Sequence, residues 1–550
     1  MKKFVALLLV FVLILSTVGC GKTTEESSTT DNGSGGDAPV ESGAETKEET
    51  AQEEFTYPME EKEFTYWMEL VANINQVVTN QIEAPFSTAL AKATGVKVNY
   101  EHPVANQAKE QFNLMVASGE LPDIFEYNIL ADYPGGPEKA ISDGVIVDLT
   151  ELLPKYAPNL YQFYQDNPDL AKLAKTDTGK YYSFPFVRGD ESLMVFFGPV
   201  VNGKWLEDLG LEYPETMEEW HTMLTRFKNE KGAVAPLTYE PWMLSDGNGS
   251  PFVGAFGIAE DFYLDEQGKI QYGSIQPGYK KFLETFNTWY EEGLLDADIE
   301  TVNREQVAAK LTTGESGASM GFMASRMGTW IAATEGDPNY NFVGVKYPVE
   351  NKGDIPMFSQ KDVAINSSMG DTYITTACED IEGAMRYLDY GYSEEGKKLY
   401  NFGIEGESYE MKDNYPTYTD TILKNPEYTV VEAMAMYARS NYYGPFIQRK
   451  EYIEQYGYTY PQQKGANELW SISNVDKYRM PKVTATPEES EELAMIMNTI
   501  QTYRDEMQVK YIMGIEELDT YDTYVQNVKD MGIDRAIEIY EAALERFRNR

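Results

Sequence analysis

Catalysis needs nucleophiles, metal ligands or acid–base pairs, and this chain of 550 residues holds only two histidines and two cysteines. Histidine occurs only at His102 and His221, and neither stands at the spacing of a metal motif or a catalytic triad. A phosphate-binding P-loop, a Gly-x-Gly-x-x-Gly fingerprint with its following acid and a nucleophile elbow are all missing. Carboxylates are the exception. With 89 Asp and Glu, chance pairs are common, and a glycosidase needs only two carboxyl groups about 5–9.5 Å apart. The alternation Asp296, Asp298, Glu300 suggests calcium, but it lacks the glycine and spacing of an EF-hand loop, so no metal is expected. A different chemistry is better served. Residues 237–256 follow neither a helix nor a strand period and gather Tyr239, Glu240, Trp242, Asp246 and Asn248. Pyranose rings offer apolar C–H faces to aromatic rings, while their hydroxyls need paired donors and acceptors. A surface loop with one buried anchor Trp is the competing reading.

The elements that must position such groups are legible nearby. Phe64–Trp67 reads as a first strand, Pro85–Thr94 as a crossing helix and Gly95–Tyr100 as a second strand. Ala105, Ala108, Phe112, Met115 and Val116 recur at helical spacing, Gly119 is placed as a left-handed cap, and Pro122 stops the helix before a strand at Asp123–Phe125. This βαβαβ opening implies a parallel sheet. The rim where strands end is where ligands bind in open α/β sheets, which makes Asp123, Glu126 and Tyr127 candidates, with an ordinary helix-to-strand loop as the alternative. Further on, Thr216 and Glu219 form a capping box ahead of the stripe Trp220, Met223, Leu224, Phe227. Phe262–Ile270 reads as a hairpin. Tyr279, Phe282, Leu283, Phe286, Trp289 and Tyr290 mark one amphipathic helix, and Leu493, Ile496, Met497, Ile500, Tyr503 and Met507 mark another that begins at Thr486-Pro487.

Several of these pieces carry a resemblance. Ala117-Ser118-Gly119-Glu120-Leu121-Pro122-Asp123-Ile124-Phe125, the stretch 201–228, Gly293–Asp296, the stretch 314–333, Gly403–Glu407 and the tail pieces 510–514 and 531–534 resemble the signatures of extracellular solute-binding proteins of ABC importers. Within the carbohydrate-binding group 1, the tail is similar to that of LplA-like lipoproteins. The resemblance implies an α/β, two-lobe, periplasmic-binding-protein-like (type II) fold with an interlobe cleft. By position it makes Trp67, Asn73 and Asn75 cleft-facing in the first lobe, and Tyr239, Trp242, Arg326 and Trp330 in the second. Tyr442 and Tyr443 would lie by a third hinge strand, after a first near 186–200 and a return at Val343–Pro348. The family often has Trp where Arg326 stands; an arginine there would hydrogen-bond sugar hydroxyls or a carboxylate, or form a structural ion pair. For Trp67 the alternative is strand-end packing.

The implied organisation is a signal peptide over 1–20, a tether over 21–54, a first lobe of 55–190 with about 350–435, and a second of about 191–349 with about 436–550 and the C-terminal helices. The first two pieces also follow from the residues. Lys2-Lys3 precede an apolar run from Phe4 to Leu15, too short to span a bilayer. Ser16–Cys20 then resembles a lipobox, with cleavage before Cys20 and acylation of its thiol, where two lipid chains would anchor it durably; a plain secretory signal with an incidental cysteine is the alternative. Residues 21–54 hold no aromatic residue and cannot bury enough surface to fold. With Cys20 lipidated, Cys378 is alone and no intrachain disulfide is expected. A formal charge of −43 repels nucleic acid and anionic lipid and disfavours a strongly anionic ligand. The resemblance implies a small-molecule sugar and ABC permease subunits as partners, with the membrane reached through the lipid alone, no cofactor and a monomeric chain. A secreted glycosidase and a surface sugar receptor without a transporter are the rival readings.

Overall fold

A computed structural model describes residues 55–70, 74–244, 251–365, 370–439 and 444–550. Two sheets organise them. In the first, Lys62–Trp67 pairs in parallel with Val96–Glu101 and Ile124–Tyr127, and Asp371–Ile374 adds an antiparallel edge beside Ile124–Tyr127. The helices Pro85–Thr94 and Ala108–Ser118 make the crossovers, each ended by a glycine in the left-handed region, Gly95 and Gly119. The second helix starts later than the spacing suggests. Asn106 takes a positive φ of 64°, so Ala105 falls in an exposed turn and only Phe112 of the stripe is fully buried. Around this sheet pack Phe64, Val98, Ile124, Tyr164, Phe184 and Leu388.

In the second sheet Phe197–Asn202 lies between Ala318–Phe322 and Phe342–Gly344, antiparallel to both. The helix Met217–Lys231 opens on the Thr216–Glu219 capping box and buries Trp220, Met223, Leu224 and Phe227. The helix Pro277–Glu291 buries Tyr279, Phe282, Leu283, Phe286 and Trp289 beside it. The C-terminal helices Pro487–Ile512, Tyr521–Asp530 and Ile533–Arg548 close over the same core through Ile500, Tyr524 and Ile539. Phe402, Tyr418 and Met434 pack with Val200, Met323 and Trp470 in an adjoining cluster.

Among the described residues, three segments that pass between the two cores lie side by side. Val187–Arg188 pairs in parallel with Ile447–Gln448, and the Arg188 N–H donates to the Ala364 carbonyl at 2.9 Å. The return differs from the sequence expectation. Residues 343–348 stay with the second sheet, because Phe342–Gly344 pairs with Phe197–Asn202 and the Val349 N–H donates to the Glu215 carbonyl. The chain goes back only at 362–365. The cores are also tied at the chain's end. Asp177, next to the first core, accepts from Arg546 Nε at 2.7 Å and from Arg550, while Lys172 Nζ donates to the Arg548 carbonyl at 2.9 Å.

Candidate functional site

Beside the crossing segments a cavity of about 510 Å³ opens, lined by Arg188, Phe196, Phe197, Trp242, Phe322, Met323, Ala324, Ser325, Gln360, Asp362, Tyr452, Ile453 and Tyr456. Its size is that of a small-molecule site, about 300–1,000 Å³. The second sheet delivers most of the wall. Phe196 and Phe197 start the central strand, and Phe322 ends its neighbour. After Phe322 the chain winds one π-helical turn, Met323–Met327, before the helix Gly328–Ala333. Such turns are frequent at functional sites. Gln463 Nε2 donates to the Met323 carbonyl at 2.9 Å and steadies the turn. Gly321 is required there: a side-chain carbon at this position would come within 2.7 Å of the Trp330 ring.

Trp242 reaches the cavity from a third direction. The Thr238 N–H donates to the Ala318 carbonyl, so this segment runs alongside the strand Ala318–Phe322. A short turn, Pro241–Met243, then swings Trp242 over the strand's end. The indole lies 5.8 Å from the Phe322 ring at 29° and 6.1 Å from Phe197, yet 44% of the residue stays exposed. Its orientation is held by hydrogen bonds. Trp242 Nε1 donates to Glu240 Oε2 at 3.2 Å, and Arg326 Nε donates to Glu240 Oε1 at 2.8 Å. Arg326 is thus an ion-pair partner that fixes Trp242 through Glu240.

The polar wall is the crossing itself. Arg188 Nε and Nη2 donate to Asp362 Oδ2 at 2.9 and 2.8 Å, and Nη1 donates to the Leu193 carbonyl at 3.0 Å. The guanidinium sits 5.1 Å from the Phe196 ring centroid. Gln360 accepts from the Phe196 N–H and faces the same space. An aromatic platform with a few convergent polar groups is the composition of a ligand pocket.

The candidates named from sequence divide sharply. Trp242 lines the cavity and Arg326 supports it. Trp330 and Tyr239 do neither, since they are 1% exposed and serve as packing. Met327, Trp330 and Ile331 form one apolar stripe facing Phe342. Trp67 is buried against Phe112 and Tyr127, the strand-end packing alternative. Tyr127 stacks on Phe112 and donates to Asp132 at 2.8 Å, while burial and that carboxylate push its phenol up. Asp123 accepts from the Thr65 N–H and hydroxyl at 2.8 Å and so joins two strands. Glu126 is buried, paired with Arg439 Nη2 at 2.7 Å and accepting from the Tyr66 hydroxyl. Burial raises the Tyr66 phenol well above its ordinary range. Asn75 is exposed and away from the cavity lining. Asn73, Tyr442, Tyr443 and Cys20 lie outside the described residues, as do Asp246 and Asn248.

The remaining candidates for chemistry have structural partners. His102 bridges backbone, Nδ1 to the Met68 carbonyl and Nε2 to the Gln81 N–H, and burial lowers its pKa. His221 pairs with Glu292. Asp296 and Asp298 are both held by Lys310, at 2.7 and 3.3 Å. Cys378 is buried, and burial pushes its thiol up to about 12.

Sequence reading missed Arg188, Phe196, Phe197, Gln360, Asp362, Tyr452 and Tyr456 as lining. The Phe196-Phe197 pair inside the expected hinge, and Tyr452 and Tyr456 one helical turn apart, were available signals.

Comparison with known proteins agrees with this architecture. Residues 75–398, more than half of the chain, match the family described as bacterial extracellular solute-binding protein. The fructooligosaccharide ABC transporter substrate-binding protein FusA of Streptococcus pneumoniae serotype 4 is 23% identical over 520 residues, covering 90% of this chain and 92% of its own. Lipoprotein LipO of Bacillus subtilis is 24% identical over 343 residues, 60% of this chain and 65% of its own. Among solved structures, alginate-binding protein AlgQ2 superposes with a TM-score of 0.68 at 23% identity, covering 88% of this chain and 98% of its own. That likeness gives the two-lobe type II fold.

Proposed function

The chain belongs to the bacterial extracellular solute-binding protein family, and we propose that it captures an oligosaccharide in the cavity beside the crossing segments and presents it to an ABC permease. One observation carries the reading: Trp242, half exposed, stacked on Phe322 and held by Glu240, offers a rigid aromatic face inside a cavity with polar groups at its side. Sugar rings bind such faces. The three adjacent crossings suit closure of one lobe on the other around the ligand. The substrate-binding relatives, FusA above all, support a carbohydrate as cargo.

Binding without turnover is part of the proposal. Hydrolysis needs two carboxyl groups flanking the glycosidic bond. Among the described lining residues Asp362 is the only carboxylate, and Arg188 occupies it. Energy for transport comes from a separate ATPase. We further propose that Cys20 is acylated and holds the protein, a monomer, at the outer face of the membrane; the lipoprotein relative supports the anchor.

The test is a thermal-shift screen of the protein against an oligosaccharide panel, with recovery of each sugar afterwards. A ligand that binds only the folded state raises the midpoint as its concentration rises. One glycan that does so and returns intact is the expected result. Cleaved sugar would instead make the protein an enzyme. For the anchor, incorporation of a labelled fatty acid is expected in the wild type and lost in Cys20→Ala.

A further inference from the structure

We propose that the cavity admits uncharged glycans and turns away those bearing carboxylates, such as uronic-acid oligomers. This rests on the carbohydrate reading above and narrows it. A site for an acidic sugar needs a cation whose hydrogen-bonding edge is available to the ligand, most often a planar guanidinium. Among the described lining residues Arg188 is the only cation, and its edges are taken. Nε and Nη2 are spent on Asp362, Nη1 on the Leu193 carbonyl, and Phe186 and Phe196 lie within 5.6 and 5.1 Å of the guanidinium. Its side chain is 3% exposed. Arg188 and Asp362 therefore cancel within the wall.

Two neighbouring cations are committed in the same way, and the exposed Arg304 meets the lining through Nη2, which donates to the Ser325 carbonyl at 3.0 Å. Arg326 is held by Glu240, and Lys361 Nζ by Asp476 at 2.5 Å. Lys482 stands near Asp362 and Asp371, and desolvation lowers its pKa. The rest of the lining is Phe196, Phe197, Trp242, Phe322, Tyr452 and Tyr456, with Gln360 and Ser325 as neutral hydrogen-bonding groups. A carboxylate entering this space would give up water and meet aromatic rings and Asp362, an expensive exchange. A hydroxymethyl group in its place meets no such penalty. The formal charge of −43 adds long-range repulsion of anions. The alginate-binding relative shares the fold, so the choice of charge lies in the lining rather than in the architecture.

The full-length protein is titrated calorimetrically at about 0.15 M salt with paired oligomers: mannose and mannuronate, galactose and galacturonate, and fructo-oligosaccharides as a further neutral series. At least one neutral oligomer is expected to bind, with every uronate at least tenfold weaker than the tightest neutral sugar. In Asp362→Asn, Arg188 loses its counter-charge, and the gap between uronate and neutral affinity is expected to narrow at least tenfold. A uronate binding as tightly as the tightest neutral sugar overturns the charge selection while leaving the carbohydrate reading intact. No binding by any sugar, neutral or acidic, overturns both. The wild-type comparison decides the matter even where the variant fails to fold.

Discussion

The rims of the two sheets start from the same materials and end differently. At the first, Trp67, Phe112, Phe125 and Tyr127 interlock, and Glu126 faces Arg439 and Tyr66, so aromatics and charges alike are used up in holding strands together. At the second, Trp242 stacks on Phe322 and both pack against Phe197 but leave a face uncovered, and the charged pairs Arg188–Asp362 and Arg326–Glu240 stand behind that face. Neither aromatic content nor the presence of an ion pair marks a ligand site. Under the function proposed above, a ring whose neighbours fix its plane while one side stays open does.

This contrast can be broken most forcefully at the first rim. Arg439→Ala leaves Glu126 buried without its partner, and Trp67→Ala removes a large side chain from a closed cluster. Each is expected to cost about 3–5 kcal/mol of stability in denaturant unfolding. Ligand affinity of the protein that remains folded should stay unchanged. At the second rim the order reverses. Trp242→Ala should weaken sugar binding by about 2 kcal/mol, roughly thirtyfold, as loss of a central aromatic contact does. Its melting temperature should stay within a few degrees of wild type. Equal losses of stability at both rims would erase the distinction.

A titration sharpens it. Asp371, on the edge strand opposite Tyr127, is fully buried; burial raises its carboxyl to about 6, opposed by the Ser183 hydrogen bond and Lys482. Because this lies above the ordinary 3.8, its stabilising contribution is complete below about pH 3.8 and is lost as pH rises through about 6. Asp371→Asn should therefore be more stable than wild type at pH 7.5, by on the order of 1–3 kcal/mol, and no more stable near pH 4. Ligand affinity at the other rim should not follow. The smallest effect belongs to the clasp at the chain's end. Asp177→Ala removes the acceptor of Arg546 and Arg550 and should shift the balance between open and closed lobes by no more than about 1 kcal/mol, less in high salt. Small-angle scattering with and without ligand would register it.

Much of the scaffold could be read locally because its causes are local. Gly119 caps a helix within one turn, Thr216 and Glu219 cap another, and the stripe Trp220–Phe227 repeats at helical spacing. Trp242 was equally visible, an aromatic residue where no period buries it. Trp330 misled because its burial is set by Met327, Ile331 and Phe342 through packing that a family resemblance does not show. The pair Arg188–Asp362 left no trace in either neighbourhood, since its members are 174 residues apart and meet only because two crossing segments run together. Tyr452 and Tyr456 face the cavity only through the placement of the helix Lys450–Tyr456.

The uneven burial of the tryptophans has an optical consequence. Of the seven, Trp67, Trp205, Trp220, Trp289, Trp330 and Trp470 are each no more than 6% exposed, whereas Trp242 is 44% exposed. Water relaxes around an excited indole and shifts its emission to the red, and a dissolved quencher such as iodide reaches only the ring it can touch. The red edge of the intrinsic fluorescence therefore belongs to Trp242. A ligand seated on that ring would blue-shift the edge and shield it from iodide, so the protein carries its own unlabelled reporter of occupancy.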